Sequence, residues 1–408
     1  MITQATLFAL FNGSVKQSEQ SNNPVFTEST TPGSGNPPWQ WDVSNIQGFA
    51  ASAIFQFVPL GGNGTQARLE WSAIEDSDWK KAGGCEGTFD LRIFNNVDPD
   101  IIYPGFQVSL RYIDSPGYTL FEGQTGGGSP LPVTDGHMYK FTAPAYNGLP
   151  GDFDMAFDSG GTGRGVVTSA STTGGWTADG SCTLRIQDGT RPYSEILSVP
   201  ISLRQLKYTT ILWFNNQTAV DPTTINGNPS DASYAWSSSD ARIVISNDGG
   251  TRIGERITGS GISDGTDIDF NLIIRDGTRP ESHIPCNLKA RHVTDPINIP
   301  FSASSGSVTV GVTGDSVTVW NFGAGVFSGI ESVLSFNEGV GNIASISWGD
   351  NALNNDDSGT LTFTIQPNDG SAPACNVLVN INISITTNID DDADITKPTV
   401  IDCTFEIV

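Results

Sequence analysis

A chain of 408 residues with 44 acidic and 20 basic side chains carries a formal charge of −24, a sign that repels phosphate backbones and anionic headgroups and excludes nucleic acid and the membrane surface as partners. Only 16% of the residues are charged, while Gly and Pro number 46 and 23. Helical bundles need far more Glu, Lys, Ala and Leu, whereas frequent turn formers punctuate short strands, so an all-β chain with almost no helix is expected.

The length exceeds one ordinary core and fits three or four domains. No window holds the roughly 18 apolar residues of a membrane-spanning helix. The stretch after Met1 lacks the basic and apolar segments of a secretion signal, so the chain is expected to fold where it is made. Cys85, Cys182, Cys286, Cys375 and Cys403 lie far apart without a Cys-x-x-Cys pair, which argues against a metal cluster and a disulfide framework. Without export, the Asn-x-Ser/Thr triplets at Asn12, Asn63, Asn216 and Asn382 are chance matches.

Taken in order, the chain repeats one element four times. The first quarter has strand-like runs at Leu7 to Phe11, Ala53 to Val58 and Arg68 to Trp71. Phe89, Leu91 and Ile93 then alternate with polar residues, Asn95-Asn96-Val97-Asp98-Pro99 turns the chain, and Phe106, Val108, Leu110 and Tyr112 resume the alternation. In the second, Cys182, Leu184 and Ile186 precede Asp188-Gly189-Thr190-Arg191-Pro192, followed by Leu197, Val199, Ile201 and Leu203. The third matches it through Phe270, Leu272, Ile274, the identical turn Asp276-Gly277-Thr278-Arg279-Pro280, and Ile284, Cys286, Leu288 and Ala290. The fourth offers Leu361, Phe363 and Ile365, a turn at Asn368-Asp369-Gly370-Ser371, then Cys375, Val377, Val379, Ile381 and Ile383.

The last apolar residues before these turns, Ile93, Ile186, Ile274 and Ile365, are spaced by 93, 88 and 91 residues. A period near 90 is one small sandwich, and period-two alternation means that each strand buries one face and wets the other. Asp-Gly suits a turn that needs positive φ. Pro200 and Pro285 lack an N–H for a ladder, so the second hairpin strand is expected to border its sheet. The expected architecture is four tandem immunoglobulin-like antiparallel β-sandwiches of about seven strands each, at 1–114 (with a loop insertion), 115–206, 207–295 and 296–388, followed by an acidic spacer and docking strand at 389–408.

Tyr234-Ala235-Trp236-Ser237-Ser238-Ser239-Asp240 with the turn at Asp248-Gly249-Gly250 resembles the Trp-Ser-Ser-Ser-Asp signature of bacterial immunoglobulin-like (Big) domains. Trp71, Trp176 and Ser347-Trp348-Gly349-Asp350 are looser matches. The resemblance covers about forty residues well. It implies spacer and adhesive modules of phage capsids, tails and bacterial surfaces, and here a non-enzymatic virion protein assembled in the host cytoplasm, which braces the particle or adheres to host surfaces. The alternative it leaves open is a carbohydrate-binding adhesin module of bacterial origin.

Chemistry is sparse. His137, His283 and His292 form no zinc or nucleophile pattern, and no Ser or Cys has a recognisable base partner. The acidic groups at Glu75, Asp76 and Asp78, at Asp152 and Asp154, and at Asp356 and Asp357 read as solvated loops. Asp264, Asp267 and Asp269 around Gly265 are the best local calcium set, with spacing unlike an EF-hand. Gly126-Gly127-Gly128 lacks the Lys of a phosphate loop and reads as a flexible connection. No metal, cofactor or catalytic residue is expected.

Three partner-binding sets remain. Arg191 and Arg279, repeated cations on a negative chain, could meet an acidic partner or pair with neighbouring acids. Trp39 and Trp41 in a Pro-rich loop could stack on surface glycans or pack onto domain one. Thr399, Val400, Ile401, Phe405 and Ile407, beyond Asp390, Asp391, Asp392 and Asp394, form a strand without its own hairpin that could join a sheet edge of another virion protein or of a second copy.

Overall fold

The computed structural model describes residues 2, 4–10, 23–81, 84–113, 117–127, 139–158, 166–215, 225–226, 234–246, 256–277, 279–301, 304–315, 317–330, 333–341, 343–350, 352–354 and 357–384. It forms two compact units, Met1–Arg291 with Gly370–Cys375, and His292–Asp369 with Asn376–Val408. Among the described residues the one α-helix is α1 (Asp76–Trp79).

The first repeat contains β1 (Gln4–Leu10), β2 (Val25–Thr27), β3 (Gln40–Gln47), β4 (Ile54–Leu60), β5 (Gln66–Ser72), β6 (Cys85–Phe94) and β7 (Ile101–Ile113). One sheet has the order β1-β7-β6-β3 and the other β2-β5-β4. Phe89, Leu91 and Ile93 of β6 are fully buried, and the β6–β7 hairpin closes through Asn96 at φ 64, a conformation that Asn tolerates better than most residues. β1 runs parallel to β7, from the pair Gln4 and Gln107 to Leu10 and Ile113.

The second repeat contains β8 (Tyr118–Phe121), β9 (Gly126–Gly127), β10 (Tyr139–Asn147), β11 (Asp154–Phe157), β12 (Val167–Ser171), β13 (Asp179–Asp188) and β14 (Ser194–Leu206). The third contains β15 (Thr210–Phe214), β16 (Ile225–Asn226), β17 (Tyr234–Ser238), β18 (Ile243–Ser246), β19 (Arg256–Gly259), β20 (Asp267–Asp276) and β21 (Ser282–Val293). The order β10-β13-β14 with β8 on β14 recurs as β17-β20-β21 with β15 on β21, and the first strand again lies parallel to the last. The hairpin glycines Gly189 and Gly277 sit at φ 56 and 57, as the Asp-Gly turns require.

The second unit holds β22 (Ile297–Pro300), β23 (Gly306–Thr313), β24 (Trp320–Ser328), β25 (Leu334–Asn337), β26 (Val340–Gly341), β27 (Ile343–Trp348), β28 (Ser358–Pro367) and β29 (Cys375–Ser384). Its sheets are β22-β29-β28-β24-β26 and β23-β27-β25, with β22 parallel to β29. One strand order therefore recurs four times, and the chain is a tandem array of immunoglobulin-like β-sandwiches.

Two expectations about the strands need correction. The second hairpin strand does not border its sheet, because β14 and β21 each carry a parallel partner on their other side. Pro200 and Pro285 fit because the parallel pairing begins only afterwards, at Ile201 and Asn287, so each proline stands where its missing N–H has no partner to serve. Nor does every strand wet one face. In β1, Ala5, Leu7 and Ala9 enter the first core, while Thr6 and Phe8 on the opposite face are also buried. Phe8 and Ile113 belong to the second repeat's core, with Phe8 edge-on to Tyr139 at 5.8 Å between ring centroids. In β8, Thr119 and Phe121 are buried beside Tyr118 and Leu120. A strand buried on both faces is one on which a second layer rests.

Gly126 and Gly127 are also ordered, pairing as β9 with His283 and Ser282 of β21, whereas Gly128 lies outside the described residues. Only a slim backbone fits there, since a Cβ on Gly127 would stand 3.0 Å from the Glu281 carbonyl oxygen.

Candidate functional site

The hairpin tips that carry the repeated Asp-Gly-Thr-Arg-Pro turn reach back onto the preceding repeat. Arg191 Nη1 donates to Thr6 Oγ1 at 2.6 Å, to Ser109 Oγ at 2.8 Å and to Asp188 Oδ2 at 2.8 Å. Thr6 Oγ1 donates to the same Asp188 oxygen at 2.6 Å, and Ser194 Oγ donates to the Thr6 carbonyl. Thr6 and Ser109 are register partners on β1 and β7, so one guanidinium spans two adjacent strands of another repeat.

The next junction repeats the arrangement. Arg279 Nη1 donates to Thr119 Oγ1 and Ser202 Oγ, both at 2.8 Å, and to Asp276 Oδ2 at 3.3 Å. Thr119 Oγ1 donates to Asp276 at 2.6 Å, and Ser282 Oγ donates to the Thr119 carbonyl at 2.6 Å. Thr119 and Ser202 are again register partners, on β8 and β14. Charge assistance makes such bonds about twice as strong as neutral ones.

A second arginine completes each junction. Arg111, Arg204 and Arg291 lie two residues before the ends of the last strands of the first three repeats, with side chains 5–6% exposed. Each donates to the carbonyl of the residue before it. Each also reaches a carboxylate on the neighbouring strand, Glu86 at 2.9 Å, Asp179 at 2.9 Å and Asp267 at 2.7 Å. Arg111 further donates to Tyr139 Oη at 3.3 Å, and Arg204 hydrogen-bonds Tyr234. Both tyrosines open the third strand of the repeat that follows.

Arg191 and Arg279 are thus engaged with their neighbouring acids and with the preceding repeat. The sequence reading saw these two and missed Thr6, Ser109, Arg111, Ser194 and their counterparts. The signal was available in Ser109-Leu110-Arg111 and Ser202-Leu203-Arg204, which fall at the same place in successive repeats.

The pattern stops at both ends of this series. The first repeat's turn has Asp98 where the next two have arginine, and its carboxylate accepts from Gly33 N, Asn36 Nδ2 and Asn95 Nδ2. Those hydrogen bonds, Asn95 foremost, hold the Asp98 carboxyl below the ordinary aspartate range. In the third repeat the register pair is Leu212 and Lys289. In the fourth it is Asn298 and Asn382, and Asn298 is exposed.

Trp39 and Trp41 are 2% and 8% exposed and belong to the first core. Their indole N–H groups donate to the Thr30 carbonyl at 2.9 Å and the Gly64 carbonyl at 2.8 Å, and Trp41 stacks on Phe57. Neither ring is free to stack on a sugar. The loop is pinned further by Glu28, which accepts from Tyr103, Thr30 and Ser29. Burial raises the Glu28 carboxyl, but these bonds outweigh it and leave the pKa lowered. Burial together with Glu28 pushes Tyr103 up to about 12.

The acidic candidates are dispersed among local partners. Asp267 meets Arg291, Asp269 accepts from Asn287, and Asp152 accepts from Thr172 and Thr173. Among the described residues no three His, Cys, Asp or Glu side chains converge in a metal-binding arrangement, and no helix is long and apolar enough to cross a membrane. His283 pairs with Glu281 at 3.0 Å. Cys85, Cys182, Cys286 and Cys375 are buried. His137, the turn at Asp248-Gly249-Gly250, and Thr399, Val400, Ile401, Phe405 and Ile407 lie outside the described residues.

No family model matches the chain, and no curated protein matches it. Several solved structures are similar to it at low identity. Drosophila N-cadherin EC1-4 is 9% identical over 94% of this chain and 99% of that one, with a TM-score of 0.19. The human desmocollin-1 ectodomain is 10% identical over 95% and 79%, with a TM-score of 0.19. An endo-fucoidan hydrolase of glycoside hydrolase family 107 is 11% identical over 60% of this chain, which spans 39% of that one, with a TM-score of 0.18. Overlays at these scores carry no functional argument. The class rests on the chain's own strand order and junctions, which define a tandem immunoglobulin-like protein whose first three repeats are clasped end to end.

Proposed function

We propose that the chain is a non-enzymatic structural protein of four immunoglobulin-like domains, a tailed-phage virion protein that decorates the capsid exterior, neck or tail and braces the particle or adheres to host surfaces. The observation that carries this reading is the repetition of one seven-residue clasp at two successive junctions. Thr6, Ser109, Arg111, Tyr139, Asp188, Arg191 and Ser194 correspond to Thr119, Ser202, Arg204, Tyr234, Asp276, Arg279 and Ser282. Polar residues that fix one sandwich to the next suit a bracing role. The phage assignment rests on the resemblance of the Trp236 segment to Big domains.

Other virion proteins, or a second copy, are the proposed partners, and residues 389–408 the proposed docking strand. The carbohydrate-adhesin alternative loses its best residues, because Trp39 and Trp41 are core. The test is mass spectrometry of purified particles from cells expressing the gene with its native neighbours. Recovery of the full chain in particles, and its loss on deleting residues 389–408, is the expected result. Absence from particles overturns the virion reading, and incorporation of the truncated chain overturns the docking strand.

A further inference from the structure

We propose that the docked hairpin tips make the array resist tension, each tip locking the pair of strands that an end-to-end pull would shear in the repeat before it. The chain enters each repeat through its first strand and leaves through its last, and these two lie side by side and parallel. Pulling the chain ends apart draws them in opposite directions along their length. In the first repeat this loads the ladder from Gln4 to Leu10 against Gln107 to Ile113 together, not one bond at a time as in peeling.

The clasp sits on this pair. Arg191 Nη1 joins Thr6 on β1 to Ser109 on β7, and Arg279 Nη1 joins Thr119 on β8 to Ser202 on β14. Each bridge therefore crosses the line of slip. The serines Ser194 and Ser282 hold the carbonyls of Thr6 and Thr119, so the first strand is gripped through both side chain and backbone. Sliding β1 past β7 requires the guanidinium to release one of its two hydroxyls, and the partly buried site offers little water in exchange. A repeat yields only after the next has undocked, which couples neighbours mechanically. In the fourth repeat the corresponding pair is Asn298 and Asn382, whose side chains approach only to 3.5 Å.

This goes beyond the virion reading and needs only that the chain be held at its two ends, wherever it is located. The test is force-clamp spectroscopy on the full chain held by its termini, comparing wild type with the double variant R191M/R279M, whose side chains donate no hydrogen bond and so cannot join the two hydroxyls. Two of the unfolding steps are expected to shorten in lifetime about tenfold at a given force, with the remaining steps unchanged. S109A/S202A, which removes one end of each bridge and leaves the arginines in place, is expected to shift the same two steps in the same direction and serves if the methionine variant does not fold. Equal lifetimes in wild type and both variants, or an equal shift of every step, would overturn the proposal. Because the readout is mechanical, its failure leaves the particle experiment unaffected.

Discussion

Arg191 donates to Thr6 across 185 positions of sequence, at 2.6 Å between Nη1 and Oγ1. That bond ties the hairpin tip of one sandwich to the first strand of the one before. Its counterpart from Arg279 to Thr119 measures 2.8 Å. The side chains of the Arg191–Asp188 pair are 12% and 6% exposed, against 23% and 24% for Arg279–Asp276.

The two clasps should therefore differ in strength. Removing Arg191 leaves Asp188 buried without its cation, so R191A is expected to cost about 3 kcal/mol, and R279A, in its wetter site, about 1–2 kcal/mol. Urea unfolding of the two variants checks the order. A larger loss for R279A would contradict it.

The tryptophans make a sharper case for core against surface. W39A is expected to destabilise the first repeat by about 4 kcal/mol, through lost burial and an unfilled cavity, and to leave any glycan-array signal of the folded chain unchanged. G64A should cost about 3 kcal/mol, because Gly64 sits at φ +65 and an added Cβ would lie 2.2 Å from the Trp39 carbonyl oxygen. Chemical denaturation of each variant supplies the measurement.

Alkaline pH should weaken the fold through two buried thiols. Burial pushes the Cys182 and Cys286 thiols from 9.0 to about 12. The folded state thus retains protons that the unfolded state releases. Their stabilisation is complete below about pH 9 and is lost as pH rises through about 12. Thiol reagents at pH 8 should label neither residue in the native chain and both after denaturation, as followed by mass spectrometry. Fast native labelling of Cys182 would contradict its burial.

Much of the fold was legible because alternation and Asp-Gly turns are local signals. Phe89, Leu91 and Ile93 read directly as a strand with one buried face, and Gly189 and Gly277 as positive-φ turn residues. The junctions were harder to read, because Thr6, Ser109 and Arg111 look like wet-face residues until the neighbouring repeat covers them. The same concealment left Arg191 readable either as a contact for an acidic partner or as the mate of a neighbouring acid. Trp39 and Trp41 misled for a related reason. A Pro-rich loop reads as exposed, yet Glu28, Tyr103 and the carbonyls of Thr30 and Gly64 fold it onto the core.

The central claim is that the first three sandwiches hold fixed angles through these clasps. Spin labels at the exposed positions Ile54 and Ser169, on repeats one and two, give the distance distribution across the first junction by electron–electron resonance. A single narrow distance in the wild type that broadens in R191A is the predicted result. A broad distribution in the wild type, or one unaltered by the substitution, would contradict it.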